Sequence, residues 1–104
     1  MGRSQSVVYA LPKKVSVIGA PWIVTRETPQ GADENILGWT HLQSRTIFVR
    51  PELKRVVAEQ VFAHELVHAT LFDTGVHNVL SDKQQEMLAD ALVPLILAVR
   101  GGRA

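Results

Sequence analysis

Residues His64-Glu65-Leu66-Val67-His68 constrain this chain more than any other segment. They spell H-E-x-x-H in the middle of a stretch with helical spacing. A helix repeats every 3.6 residues, so His64 and His68 project from one face, one turn apart. Glu65 lies roughly 100° further round. Two imidazoles in that geometry bind one divalent ion through ring nitrogens at about 2.0–2.1 Å, and zinc is the usual occupant. The glutamate beside them can take a proton from an ion-bound water. With four His and six Glu in 104 residues, independent placement yields this pattern in about 1 chain in 100. The bland alternative is two His and a Glu satisfied by ordinary hydrogen bonds on an amphipathic helix.

The remaining composition narrows the setting. A chain of 104 residues, 46% hydrophobic, builds one domain with a modest core. A bound metal would add folding stability that such a core lacks. Net charge is +1, from 11 basic and 10 acidic residues, without the basic stripe of a nucleic-acid surface. Arg100 and Arg103 flank a Gly-Gly tail that reads as a frayed end. Cysteine is absent, which excludes disulfides, a Cys₄ zinc site and a thiol nucleophile, and is compatible with the cytosol. The first 20 residues lack a continuous apolar run, so no signal peptide is expected. The apolar run from Ala91 to Val99 is too short to span a bilayer and contains Pro94. Met1-Gly2-Arg3-Ser4-Gln5-Ser6 matches an N-myristoylation pattern only formally and is set aside.

The pattern predicts an α+β fold, a small antiparallel or mixed sheet followed by two helices. Residues 6–11 are ambiguous between strand and helix. Residues 15–18 and 22–25 read as strands separated by Gly19-Ala20-Pro21. Residues 27–35, with Pro29, Gly31 and Asp33, read as a loop. Residues 36–41 and the strand from Arg45 to Val49 suggest an antiparallel hairpin, with Gly38 marking a bulge or close backbone approach. The first helix is expected from Pro51, with Leu53, Val56, Val57, Gln60, Val61, His64, Val67, His68 and Leu71 on one broad face, and a stop at Gly75. Ser81 and Gln84 form a capping box for the second helix. Its apolar face reads as Met87, Leu88, Ala91, Leu92 and Leu95, and Pro94 should kink it or end its regular part near Val93, with the helix resuming or fraying through Val99 and stopping at Gly101-Gly102.

A catalytic zinc needs a third protein ligand and an open position. Glu86, early in the second helix, is favoured, with Asp90 one turn later able to hold the far nitrogen of a ligand histidine. Ala89 and Leu92 beside Asp90 suggest that this face is partly buried, and a buried carboxylate needs a partner. His77 is the rival third ligand. It could instead hydrogen-bond the oxyanion of a tetrahedral intermediate, a role for which His41 and Tyr9 are weaker candidates.

With H-E-x-x-H at 64–68 and Glu86-Met87-Leu88-Ala89-Asp90 downstream, residues 36–93 resemble the gluzincin metallopeptidases, and more narrowly the ImmA/IrrE-type domains. The resemblance implies a minimal zincin-like domain over residues 1–104. It implies His64, His68 and Glu86 as Zn²⁺ ligands, Glu65 as general base and Asp90 as the partner of His64. The strand from Arg45 to Val49 would border the cleft and take an extended peptide by strand addition. The implied activity is regulatory cleavage of an intracellular protein in a bacterium or phage, in the cytoplasm, with no direct nucleic-acid or membrane contact. SprT-like proteases, which use a third His, would bring in His77. The chain departs from the ImmA/IrrE pattern after Asp90 and has no clear long N-terminal helix. Two other classes stand beside the peptidase: a metal-binding interaction module without turnover, and a structural domain in which the motif is accidental.

Overall fold

A computed structural model of the protein describes residues 11–100. Four short strands, β1 (Lys14–Val15), β2 (Trp22–Thr25), β3 (Gly38–His41) and β4 (Thr46–Val49), precede helices α1 (Arg55–Thr74) and α2 (Asp82–Arg100). A short 3₁₀ turn, Val76–Val79, links the helices. The fold is α+β. The sheet is mixed, in the order β1-β2-β4-β3, with β2 parallel to β4 and the other pairs antiparallel. The expected hairpin forms, pairing Trp39 with Phe48 and Thr40 with Ile47. Residues 6–10 of the ambiguous first segment, Tyr9, the acylation pattern and the Gly-Gly tail lie outside the described residues.

α1 packs against the sheet on one side and α2 on the other, so it is buried on two faces. Trp22, Val24, Ile47, Val49, Ala58, Phe62 and Ala69 form the sheet-side core. Val67, Leu71 and Ala89 form the helix-side core, with Leu80, Leu88, Leu92 and Ile96 packed on it. This corrects the one-face reading of α1. Val56 is 67% exposed, while Phe62 and Ala63 are fully buried. A stripe rule assumes one neighbour per helix, and α1 has two.

The ends of the helices follow local chemistry. α1 starts at Arg55 rather than Pro51, and residues 51–53 form a turn. Arg26 holds the chain just before it, donating from Nε to the Val49 carbonyl at 2.8 Å and from Nη2 to the Arg50 carbonyl at 3.0 Å. Gly75 ends α1 in the left-handed conformation at φ 79°, its N–H bonded to the Phe72 carbonyl. Only a residue without Cβ adopts that cap without strain. At α2, the Gln84 N–H donates to Ser81 Oγ and the Ser81 N–H donates to Gln84 Oε1, the reciprocal capping pair. α2 runs through Pro94 to Arg100, the expected continuation past the proline rather than an end near Val93. Arg100 clamps its far end to α1, bonded to both carboxylate oxygens of Glu59 and lying 4.9 Å over the Phe62 ring. Of the expected inward face of α2, Leu88 and Leu92 pack on the core, but the face is rotated away from the rest. Met87 and Leu95 are 62% and 60% exposed, while Ala89 is buried and Ile96 packs inward.

Asp73, near the end of α1, ties that helix to the sheet. It accepts from Trp22 Nε1 at 2.9 Å and from Arg45 Nη1 and Nη2 at 2.8 and 3.0 Å. Arg45 stacks 4.5 Å over the Trp22 ring and donates to the Ala20 carbonyl. The hydrogen bonds from Arg45, helped by that from Trp22, hold the Asp73 carboxyl below its ordinary value against the opposing effect of burial. A carboxyl lowered by folding stabilises the fold above its unfolded pKa, about 3.9, and that contribution is lost as pH falls through the folded value. Asp73→Asn is therefore expected to melt well below wild type at neutral pH. The two melting temperatures should converge as pH drops below about 4. Thermal melts across that range test it; a gap that stays constant with pH contradicts it.

Candidate metal centre

α1 carries His64 and His68 one turn apart on the face that meets α2, and their ring centroids are 5.1 Å apart. The capping box at Ser81 sets where α2 begins and so places Glu86 in its second turn, opposite both rings. Glu86 Oε1 lies 3.0 Å from His64 Nε2, and Oε2 lies 2.8 Å from His68 Nε2. One ligand atom from each of the three residues falls within 4.8 Å of the other two. Asp90, one turn further along α2, places Oδ1 3.0 Å from His64 Nδ1. Its side chain is 75% exposed, which corrects the expectation that this position is partly buried. Its partner is nevertheless His64.

The donor chemistry fits a cation. A carboxylate only accepts, so the His64 Nδ1–H donates to Asp90 Oδ1. In a neutral ring this leaves a lone pair on Nε2, facing a Glu86 oxygen that is also an acceptor. A cation between them, or a second proton on the ring, makes that pairing attractive. Each histidine Nε2 lies within 3.0 Å of a Glu86 oxygen, and one ligand atom from each of the three residues lies within 4.8 Å of the others, close enough to share one ion. His64, His68 and Glu86 thus suit a divalent ion, with Asp90 fixing the His64 tautomer.

Glu65 faces away from α2 toward β3 and is 9% exposed. Burial pushes its carboxyl above the ordinary value. The hydrogen bond from Thr40 and the nearby imidazoles oppose that shift. Thr40 Oγ1 donates to Glu65 Oε1 at 2.6 Å. Gly38 makes this approach possible. A Cβ there would lie 2.4 Å from Val61 Cγ1 and 3.1 Å from Glu65 Oε2. The expected close approach at Gly38 is thus the crossing of β3 over α1. Glu65 and the three metal-site residues line one cleft, between β3 and the two helices. Beside it a cavity of about 440 Å³ is lined by Leu37, Gly38, Val61, Val93, His64 and Glu65, among others.

The other candidates lie elsewhere. His77 sits in the turn after α1, its Nδ1 3.2 Å from the Leu71 carbonyl and its ring edge-on to Phe72 at 4.8 Å. It lines neither part of the cleft and does not join the cluster. The structure thus does not bring His77 to the cluster; its ring packs on the end of α1. His41 points to the opposite face of the sheet, beside Trp39 and bonded to Ser44. Thr40 was not singled out in the sequence. A threonine in a strand is common, and its partner lies 25 residues away.

Glu86→Ala should abolish near-stoichiometric metal binding, whereas His77→Ala should bind as wild type. Elemental analysis after dialysis checks both. Metal retained by Glu86→Ala and lost by His77→Ala would reverse the ligand assignment.

No protein-family model, curated protein or solved structure matches this chain.

Proposed function

We propose that this chain is a zinc-dependent endopeptidase of the gluzincin type, akin to the ImmA/IrrE domains. The observation that carries the reading is the convergence of His64, His68 and Glu86 on one point, with the Glu65 carboxylate opening into the same cleft. His64, His68 and Glu86 would hold a zinc ion, which when bound would supply Lewis acidity, lowering the pKa of water toward about 7 and stabilising negative charge that develops on a carbonyl oxygen. Glu65 removes the proton from the attacking water and delivers it to the leaving amine. A carboxylate raised by burial is better matched to that exchange near neutral pH than an exposed one. Asp90 keeps the His64 ring oriented.

The substrate edge differs from the one expected. The strand from Arg45 to Val49 has both edges occupied, because β4 pairs with β2 and with β3. Strand addition there is blocked. Among the described residues the open edge beside the cleft belongs to β3. The Arg50 N–H bonds the Leu37 carbonyl at 2.9 Å. Alternation along an antiparallel pair then turns the backbone groups of Gly38 and Thr40 outward. An extended peptide pairing with them lies across Glu65 and the metal ligands. The neighbouring cavity, walled by Leu37, Val61 and Val93, takes one of its side chains. No helix among the described residues is long and apolar enough to cross a membrane. We place the reaction in the cytoplasm, on an intracellular protein.

Glu65→Gln keeps the shape of the side chain and removes the base. The variant should bind zinc as wild type and lose at least about 10³-fold in hydrolysis of a denatured protein library. Wild-type cleavage should stop on chelation and return with zinc. Zinc binding without chelator-sensitive cleavage by the wild type would overturn the peptidase and leave a metal-binding interaction module.

A further inference from the structure

We infer that Thr40 is a positioning residue for Glu65, fixing one carboxylate oxygen so that the other is presented to the cleft. The kinetic consequence rests on the peptidase reading above; the geometric one does not. Thr40 Oγ1 has one hydrogen and two acceptors in reach, Glu65 Oε1 at 2.6 Å and the Glu65 main-chain carbonyl at 3.1 Å. A hydroxyl donating to a carboxylate spans about 2.5–2.7 Å, shorter than a bond between neutral groups. The shorter contact therefore takes the hydrogen. The Glu65 carbonyl lies within α1, where the helix supplies its own N–H partner, so it does not need the hydroxyl.

The backbone at Gly38 bounds the second oxygen. Oε2 sits where a residue-38 side chain would reach, 3.1 Å from an added Cβ. The carboxylate is thus bracketed by the two residues of β3 that face α1, a hydroxyl on one oxygen and bare backbone beside the other. Both positions belong to the strand edge proposed to receive the peptide. The strand that aligns the substrate would therefore also align the base. Proton transfer is sensitive to placement at this scale, since a misplacement of about 1 Å costs roughly a hundredfold. A threonine that merely filled space would leave the carboxylate orientation unchanged when its hydroxyl is replaced by a methyl group.

The test uses the zinc-loaded full chain as wild type, Thr40→Val and Thr40→Ser. Thr40→Val, nearly isosteric, should bind zinc with unchanged affinity and KM while kcat falls at least about tenfold. Thr40→Ser, which restores the hydroxyl, should recover to within about threefold of wild type. Crystal structures should show the Glu65 carboxylate displaced in Thr40→Val and in place in Thr40→Ser. Unchanged kcat, a loss confined to KM or zinc affinity, or an unmoved carboxylate in Thr40→Val would overturn the inference. If the wild type hydrolyses nothing, the peptidase reading fails, and the crystal structures alone decide what Thr40 does. Thr40→Cys, with a weak donor of similar size, takes the place of Thr40→Val in every arm if the valine variant does not fold.

Discussion

The Glu86 carboxylate, set between the Nε2 atoms of His64 and His68, is the interaction on which this structure turns. It joins the two helices at the point where their facing surfaces change from apolar to polar. Val67 and Leu71 lie on α1 beside it and Leu88 and Ala89 on α2, so the polar cluster sits at the rim of a packed seam. With a neutral His64 ring whose proton is on Nδ1, Nε2 would face a Glu86 oxygen as acceptor against acceptor, which costs rather than stabilises unless a cation or a second ring proton lies between them. A divalent ion changes the sign of the interaction. It would also couple metal binding to the docking of α2, which a chain of this length, with little core to spare, can use.

A second constraint runs through β3. Gly38 lets the strand lie against α1, and Thr40, two residues on, then reaches Glu65. On the far side, the Asp73–Arg45–Trp22 contacts tie the end of α1 to the start of β4 and to β2. Arg45 takes a left-handed conformation at φ 50°, unusual for a side chain of its size, at the turn that joins β3 to β4. α1 is thus fixed to the sheet at both ends of the stretch that carries the motif. The histidines and the glutamate project from a rigid rod, and sites on such elements hold their geometry better than sites on loops.

What could be read in the sequence was local. The i, i+4 spacing of the histidines, the left-handed stop at Gly75, the capping pair Ser81 and Gln84, and the one-turn spacing of Glu86 and Asp90 each depend on residues within a turn or two. So did the hairpin and the close approach at Gly38. Other features needed information from distant parts of the chain. The parallel pairing of β2 with β4 joins segments that no turn signal connects. It also moves the open edge from β4 to β3. The burial of α1 on two sides hid Phe62 and Ala63 from a one-stripe reading. Pro94 reads as a kink or an interruption, and what carries α2 past it comes from elsewhere in the chain, with Ile96 packed inward and Arg100 bound to Glu59 on α1. Thr40 left no local trace, because its importance comes from what lies across from it.

Zinc K-edge X-ray absorption on the metal-loaded protein addresses the centre most directly. Two imidazole nitrogens and carboxylate or water oxygens at about 2.0–2.1 Å, in a four-coordinate shell, are the expected result. A shell of oxygens alone, or one containing a third imidazole, would contradict the assignment of His64, His68 and Glu86.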